Sequence, residues 1–255
     1  MTEYVIGPDL NRYRASYDIA KVKAAGGRFV IGKATEVWPG VKWEDPTYKP
    51  YRDQTKNNGL PWGAYLYWRA EIDPEEQVDW FFEIAKKHID FPPIIDVERT
   101  GNLKADGKTP LISYAAAHDS LLACVTMLLD VYNVLPWIYT SWWSWKSLLN
   151  DSPLIKTVPL WVANFTAYSK PLLPVGAEDW EMWQFTSSYP WPGQSHTADA
   201  NRYPGTEAEL NEFIKVNRSL MYPEAPPPEP TPDPTTQSFY LELGGDKWVG
   251  EAKKV

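Results

Sequence analysis

The residues of this chain best placed to do chemistry are two acids, Asp96 and Glu98, at the end of the run Pro92-Pro93-Ile94-Ile95-Asp96-Val97-Glu98. The run is apolar enough for a buried strand, and side chains at i and i+2 of a strand share a face, roughly 6.5–7 Å apart. Both carboxylates are therefore expected to enter one cavity. Acids at about that spacing can hydrolyse a glycosidic bond, because a neighbouring charge and partial desolvation keep one of them protonated near neutral pH. A lone Asp-x-Glu is more often a strand end turning to solvent, so the rest of the chain has to decide.

Strand-like runs alternate with capped helical segments. The expected strands are Tyr4–Asp9, Arg28–Lys33, Pro61–Trp68, Pro92–Glu98, Leu135–Thr140, Val158–Asn164, Trp180–Thr186 and a weaker one over Thr197–Tyr203. Asp18 and Asp73 precede helical patterns as caps, and Asp45-Pro46 and Thr109-Pro110 open two more. The Thr109 segment is expected to be the longest helix, reaching about Asn133. A final helix should run from Thr206 to about Asn217, while the segment Glu36–Trp43, rich in Trp and Pro, reads as a loop. After the fifth strand the helices shrink. The pattern is α/β: an irregular TIM-like barrel of five β/α units followed by three β-strands. An open doubly wound sheet would place a Gly-rich turn at a strand-order switch, and none is present.

In such a barrel the chemistry gathers at the carboxyl ends of the strands. There the sequence places Asp9; Lys33, Thr35 and Glu36; Tyr65 and Tyr67; Asp96 and Glu98; Tyr139; Trp161 and Asn164; Gln184; and Asp199. Any one of these is ordinary. Acids with Tyr, Trp and Gln at matching ends form a combination that outweighs the solvent-facing reading of Asp96 and Glu98.

Bulk properties exclude other classes. The 255 residues carry a net charge of −8, and a pI near 5.0 opposes binding to nucleic acid phosphates. No 18-residue apolar run marks a membrane span, and Met1-Thr2-Glu3-Tyr4 lacks the basic-then-apolar layout of a secretory signal. Synthesis in the cytoplasm is therefore expected. His88, His118 and His196 are too scattered to ligate a metal, and Cys124, the single cysteine, suits a helix core. Neither a Gly-x-Ser-x-Gly elbow nor a phosphate loop occurs. The 14 Trp and 15 Tyr are in excess, and aromatic faces stack on sugar rings as well as in cores. Trp142, Trp143 and Trp145, just after a strand, are candidates for the first role.

Three segments are expected: a barrel over residues 1–220, a linker over 221–236 and a tail over 237–255. Seven of the twelve residues from Pro223 to Pro234 are proline, a composition that favours an extended spacer of roughly 40 Å at ~3.1 Å per residue. In the tail, Phe239–Leu243 and Lys247–Val249 flank Gly244-Gly245-Asp246 as a hairpin pattern. It is too short to fold alone. It is expected to dock on the barrel, on a partner or on a second copy of the chain, or to stay disordered.

The ordered motifs Gly7-Pro8-Asp9, Phe29 to Glu36, Gly63-Ala64-Tyr65, Pro93 to Glu98, Ile138-Tyr139-Thr140-Ser141, Pro159 to Ala163, Trp183 to Ser187 and Asp199 to Tyr203 resemble glycoside hydrolase family 25. These are the Chalaropsis-type lysozymes of bacteriophage endolysins and bacterial autolysins. The resemblance spans about residues 4–217. It implies cleavage of the β-1,4 bond between N-acetylmuramic acid and N-acetylglucosamine in bacterial peptidoglycan, with no cofactor and no metal, by an enzyme acting on the wall after release from the cell. Residue by residue it implies Glu98 as general acid and Asp96 as support for the reacting centre, directly or through the sugar's acetamido group. Asp9 and Asp199 complete the acidic floor, and Tyr65, Tyr139, Trp161 and Gln184 contact sugar. Tyr67, Asn164, Lys33 and Glu36, at the same strand ends, complete the candidate substrate-binding set. The chain departs from the family in Leu10-Asn11-Arg12-Tyr13 after the first aspartate and in Leu66-Tyr67-Trp68 after Tyr65. A barrel that binds wall glycan without cutting it, and a barrel glycosidase of chitin, are the rival expectations.

Overall fold

A computed structural model of the chain describes residues 3–14, 16–223, 236–243 and 246–253. It divides into two compact units, one up to Pro223 and one from Glu224 onward. The first unit contains β1 (Tyr4–Gly7), β2 (Asp9–Leu10), α1 (Ile19–Ala24), β3 (Val30–Trp38), β4 (Val41–Glu44), α2 (Tyr48–Asn57), β5 (Trp62–Tyr67), α3 (Pro74–Ala85) and β6 (Ile94–Asp96). It continues with α4 (Tyr114–Tyr132), β7 (Trp137–Thr140), α5 (Trp142–Leu149), β8 (Leu160–Ala163), β9 (Met182–Tyr189), β10 (Ala198–Pro204) and α6 (Glu207–Met221).

The strand order β1-β10-β9-β8-β7-β6-β5-β3-β2 begins and ends on the same stretch of chain. Pro8, which has no N–H to give a ladder, divides that stretch: β1 pairs antiparallel with β10, and β2 pairs parallel with β3. The sheet thus curls into a nearly closed barrel. From β2 to β9 its neighbours are parallel, and five β/α units occupy this arc. Residues 164–181, between β8 and β9, carry no helix. The last two pairings are antiparallel.

Alternation along the strands gives the barrel two faces. Val5, Ile31, Ile94, Trp137, Trp161, Met182 and Tyr203 form one buried cluster, and Leu210 and Ile214 of α6 join it. Phe213 of α6 packs its ring 5.6 Å from Trp137 and 5.8 Å from Tyr203. The larger cluster lies on the opposite face, between strands and helices, with Val30, Trp62, Ile95, Ile138, Val162 and Trp183 facing Val22, Phe81, Leu121 and Leu128. Gly32 permits this close packing. A Cβ there would stand 2.2 Å from the Trp62 indole.

Several boundaries differ from expectation for local reasons. The segment Glu36–Trp43 is a hairpin, not a loop: β3 continues to Trp38 and turns back at Gly40 (φ 75°) into β4. The strand carrying the acids is short, so Asp96 ends β6 and Glu98 lies beyond it. α4 starts at Tyr114, where the Ser113 hydroxyl accepts from the Ala116 N–H. Thr109 instead closes a turn on Asp106, donating its N–H and hydroxyl to that carboxylate. α6 reaches Met221, and the Tyr222 hydroxyl after it donates to the Lys86 and Ile89 carbonyls. α4 is long and apolar enough by composition to cross a bilayer, yet Leu121, Cys124, Val125 and Leu128 sit in the barrel's outer core.

In the second unit β11 (Thr236–Leu243) and β12 (Asp246–Lys253) pair antiparallel from Thr236–Lys253 to Leu243–Asp246. The expected Gly244-Gly245 turn and most of the Pro-rich linker lie outside the described residues.

Asp73 caps α3 by accepting from the Glu75 and Glu76 N–H groups at 2.8 and 3.3 Å. Asp73→Ala should cost about 1 kcal/mol. Urea unfolding followed by circular dichroism will show this as a lower midpoint at an unchanged slope.

Candidate active site

At one mouth of the barrel, side chains one step beyond the inner cluster become polar. Ile94 is followed on its face by Asp96, Trp137 by Tyr139, Met182 by Gln184, and Gly7 by Asp9. Asp9, Asp96, Glu98 and Asp199 line one small cavity of about 60 Å³, with Tyr65, Tyr139, Trp161 and Gln184 around them. Two wider pockets open from it. One, of about 300 Å³, includes Lys33, Glu36, Tyr65 and Tyr67; the other, of about 530 Å³, includes Asn164. All twelve sequence-predicted site residues therefore line one of three cavities that share wall residues, and Glu98 borders all three.

Asp199 arrives differently from the expectation. It was placed at the carboxyl end of the eighth strand, but it is the second residue of β10, which runs antiparallel to β9. Reversal brings the beginning of β10 to the mouth that the other strands reach with their ends.

Asp9 is held by an ordered chain of donors. Gln184 Nε2 and Asn201 Nδ2 both donate to Asp9 Oδ2, at 3.0 and 2.8 Å. The Tyr139 hydroxyl donates to Gln184 Oε1 at 2.9 Å, and Trp161 Nε1 donates to Asn201 Oδ1 at 2.9 Å. Asn201 also donates to the Gly7 carbonyl at 3.1 Å. Asn201 belongs to the Asp199-Ala200-Asn201-Arg202 motif but was not named as a site residue. Its position two residues from Asp199 on one strand face was the available signal. Asn11, two residues after Asp9, was missed in the same way and lines the central cavity.

Glu98 has no strand to fix it, and the buried Asn102 does so instead. Asn102 Nδ2 donates to the Glu98 and Trp68 carbonyls, each at 2.9 Å, and Asn102 Oδ1 accepts from the Ala70 N–H at 2.8 Å. Asp96 is 5% exposed, and its Oδ1 has no hydrogen-bond partner among the described residues. Glu36 is already engaged: Lys33 Nζ donates to it at 2.6 Å, Arg69 Nε at 2.7 Å and Trp38 Nε1 at 2.9 Å. Its direct work is to hold two cations in the pocket wall. Lys33 Nζ lies 4.3 Å from the centre of the Tyr67 ring.

Burial raises every carboxyl of the central cavity above its ordinary range. Asp96 is pushed well up by desolvation and then by the Glu98 charge, partly offset by Lys33. Glu98 is raised by desolvation and by Asp9. Asp9 is raised by desolvation against the lowering effect of its donors, and Asp199 is pushed up to about 8 by desolvation and by Asp9. Removal from water thus ranks above neighbouring charge at all four acids. With Asp199 at about 8, the site holds a protonated carboxyl at neutral pH. Tyr65 and Tyr139 are also raised, by burial and the nearby acids, and stay protonated as donors. Among the described residues no group of three or more His, Cys, Asp or Glu side chains is arranged to hold a metal ion.

The chemistry open to this arrangement is acid-assisted cleavage of a bond between sugars, with a proton donor among further carboxyls at one point of an aromatic-walled cleft. The profile of glycosyl hydrolases family 25 matches residues 8–194. The chain belongs to that family. It is a glycoside hydrolase. Lysozyme M1 of Streptomyces globisporus is 26% identical over 82% of this chain and 71% of that protein. An N,O-diacetylmuramidase of Chalaropsis sp is 27% identical over 75% of this chain and 92% of that protein. A muramidase structure from Trichobolus zukalii superposes with a TM-score of 0.71 at 25% identity, covering 83% of this chain and 99% of that one. The family match contains Asp9, Asp96 and Glu98 and stops short of Asp199 and Asn201. In this family 25 chain those two come to the site through the pairing of β10 with β1 and β9.

A carboxyl raised by folding binds its proton more tightly in the folded chain than in the unfolded one, where an Asp titrates near 3.9. Stability that Asp199 contributes below that value is lost as pH rises toward about 8. Asp199→Asn keeps an N–H donor toward Asp9 and removes the titration. Melting curves from pH 4 to 8 should show the parent losing on the order of 2 kcal/mol more than the variant. Parallel losses in the two proteins would refute the assignment.

Proposed function

We propose that this glycoside hydrolase is a muramidase, cleaving the β-1,4 bond between N-acetylmuramic acid and N-acetylglucosamine in bacterial peptidoglycan. The observation that carries the reading is the meeting of Asp96 and Glu98 in the central cavity, with Glu98 also lining both wide pockets, in a chain of family 25. A glycan strand lying across the mouth passes over both acids.

Glu98 is the better placed proton donor. It is half-buried and reaches both wide pockets, so it can protonate the oxygen of a bond that spans them. Asp96 is deeper, and its unpartnered oxygen supports the reacting sugar, directly or through the acetamido group. Asp9, fixed by Gln184 and Asn201, and Asp199, hydrogen-bonded to Asp9, form the acidic floor. Tyr65, Tyr139 and Trp161 surround the bound ring, while Lys33 and Tyr67 face the strand on one flank and Asn164 on the other.

The proposed setting is host lysis as a phage endolysin, made in the cytoplasm and released to the wall. It rests on the motif resemblance. Expression in a bacterium with and without a membrane-perforating partner tests it: lysis that needs no perforation would point to another route of export.

Glu98→Gln keeps the shape and removes the proton. Release of reducing ends from purified peptidoglycan should fall by roughly 10²–10⁴-fold, with strand binding retained. Asp96→Asn should also be severely impaired. Turnover by Glu98→Gln near the parent rate would remove Glu98 from the role, and parent activity on chitin but not on peptidoglycan would replace the substrate.

A further inference from the structure

Away from the mouth, the arc of the barrel that lacks helices carries a row of rings on its outer face. Along β10, Asn201 and Tyr203 face inward, so Arg202 between them faces outward. There Trp180, Trp183 and Phe185 follow one another at ring separations of 6.0 and 6.3 Å, and Tyr4 stacks on Trp180 at 6.2 Å, 24° from parallel. The Arg202 guanidinium lies 4.0 Å from the centre of the Phe185 ring, 5.0 Å from Trp183 and 5.4 Å from Tyr4. Three rings thus hold it in place. Among the described residues that guanidinium makes no ion pair and no hydrogen bond.

Arg202, Tyr4 and Trp180 line a cavity of about 710 Å³ that shares no lining residue with the three cavities of the mouth. Tyr4 opens β1 and pairs with Pro204 at the close of β10, so this cavity lies toward the end of the barrel opposite the acids. Lys170, Glu178 and Asp179 complete its charged wall. All three are exposed, and among the described residues none pairs with another or with Arg202. Asp179 Oδ1 accepts from the Trp180 N–H at 2.8 Å, which ties the acids to the indole. Two bases and two acids that leave one another unpaired, around aromatic faces, match a ligand with charges of both signs.

We infer that this cavity is an accessory site, separate from the catalytic mouth, for the short peptides that branch from the glycan strands of the wall. Such a peptide carries carboxylates and an amine. An arginine whose flat face is already stacked on rings, and whose N–H edges are unpaired, is preorganised to donate two parallel hydrogen bonds to a carboxylate. Glu178 and Asp179 take the amine, and the Tyr4 and Trp180 rings cover the aliphatic part between the charges. A neutral sugar chain would leave the guanidinium unpaired, and a polyanion would meet the two acids. Held there, the wall stays beside the enzyme between cleavages without touching Asp96 or Glu98.

The choice of peptide rests on the peptidoglycan reading. The test is isothermal titration of the full chain with two probes, the sugar-free tetrapeptide L-Ala-D-Glu-L-Lys-D-Ala and a peptide-free glycan oligomer. The parent binds the tetrapeptide, and Arg202→Gln binds it roughly tenfold more weakly, while glycan binding and turnover of peptide-free glycan stay at the parent level. Equal tetrapeptide binding by parent and variant overturns the inference, and so does a parent that does not bind the tetrapeptide. A parallel loss of glycan binding overturns it as well, because the cavity would then hold sugar. Glu178→Gln combined with Asp179→Asn changes only exposed side chains and decides the matter should Arg202→Gln fold poorly. This double variant also binds the tetrapeptide more weakly, and acetylating the peptide's amines weakens binding to the parent without weakening it further in the variant. Equal binding by the double variant overturns the inference. A parent that binds the tetrapeptide yet releases no reducing ends from peptidoglycan fails the muramidase reading and leaves the accessory site standing.

Discussion

A buried carboxylate must be given hydrogen-bond donors or be protonated, and Asp9 shows how far this chain is organised by that requirement. Its donors come from β9 and β10, and the groups that orient those donors come from β7 and β8. One oxygen of one side chain thus draws on four consecutive strands of the barrel. The amide groups of Gln184 and Asn201 each accept on one side and donate on the other, so every dipole in the chain points the same way, toward Asp9. This arrangement exists only if the sheet closes. β10 has to lie beside β1 for Asn201 to reach both Asp9 and the Gly7 carbonyl.

Closure also explains why the last third of the barrel is irregular. A parallel strand presents its final residues at the active mouth, and each such strand needs a return crossover. β10 reaches the mouth with its first residues because it is antiparallel, and it follows β9 through a short connection with no helix. Two features follow from this one reversal. Asp199 and Asn201 stand at the beginning of a strand, and the chain after Pro204 starts at the far end, where α6 packs Phe213 against Trp137 and Tyr203. The floor of the site and the plug of the barrel are thus set by the same antiparallel pair.

Much of this was legible in the sequence, and the reasons can be read from particular residues. Asp18 and Asp73 cap helices locally, so their signals do not depend on distant contacts. The acids at strand ends were legible because alternation fixes which residues share a face. What escaped depends on long-range partners. Glu98 and Asp96 were read as i and i+2 of one strand, yet the strand ends at Asp96 and Glu98 is held by Asn102, whose amide also binds Trp68 and Ala70. No local pattern marks an asparagine that bridges two loops. Glu36 read as a residue facing substrate because it is acidic and near a strand end. Arg69, 33 positions away, satisfies it, and nothing near either residue in the sequence announces the pair. The hairpin of β3 and β4 was hidden by a Trp- and Pro-rich composition typical of loops, although Pro39-Gly40 is itself a turn signal.

The cost of burying four carboxyls is met unequally, and the inequality has a chemical direction. Asp9 has strong donors and can carry charge. Asp199 has Asp9 itself as a partner and is held neutral toward a pH of about 8. Asp96 has an oxygen with no partner among the described residues, the most expensive position of the four. A protein does not keep such an oxygen for stability, because a satisfied or apolar side chain there would be cheaper. The unpaired oxygen belongs to a side chain that lines the central cavity beside Glu98, where a ligand can supply the donor that the described residues do not. The walls extend this logic outward. On one flank Lys33 and Arg69 are spent on Glu36, and on the other the exposed indole and phenyl faces are left to solvent. The unpaired oxygen of Asp96 and the exposed ring of Trp143 thus lie at the same mouth of the barrel, with Glu98 bordering the pockets of both.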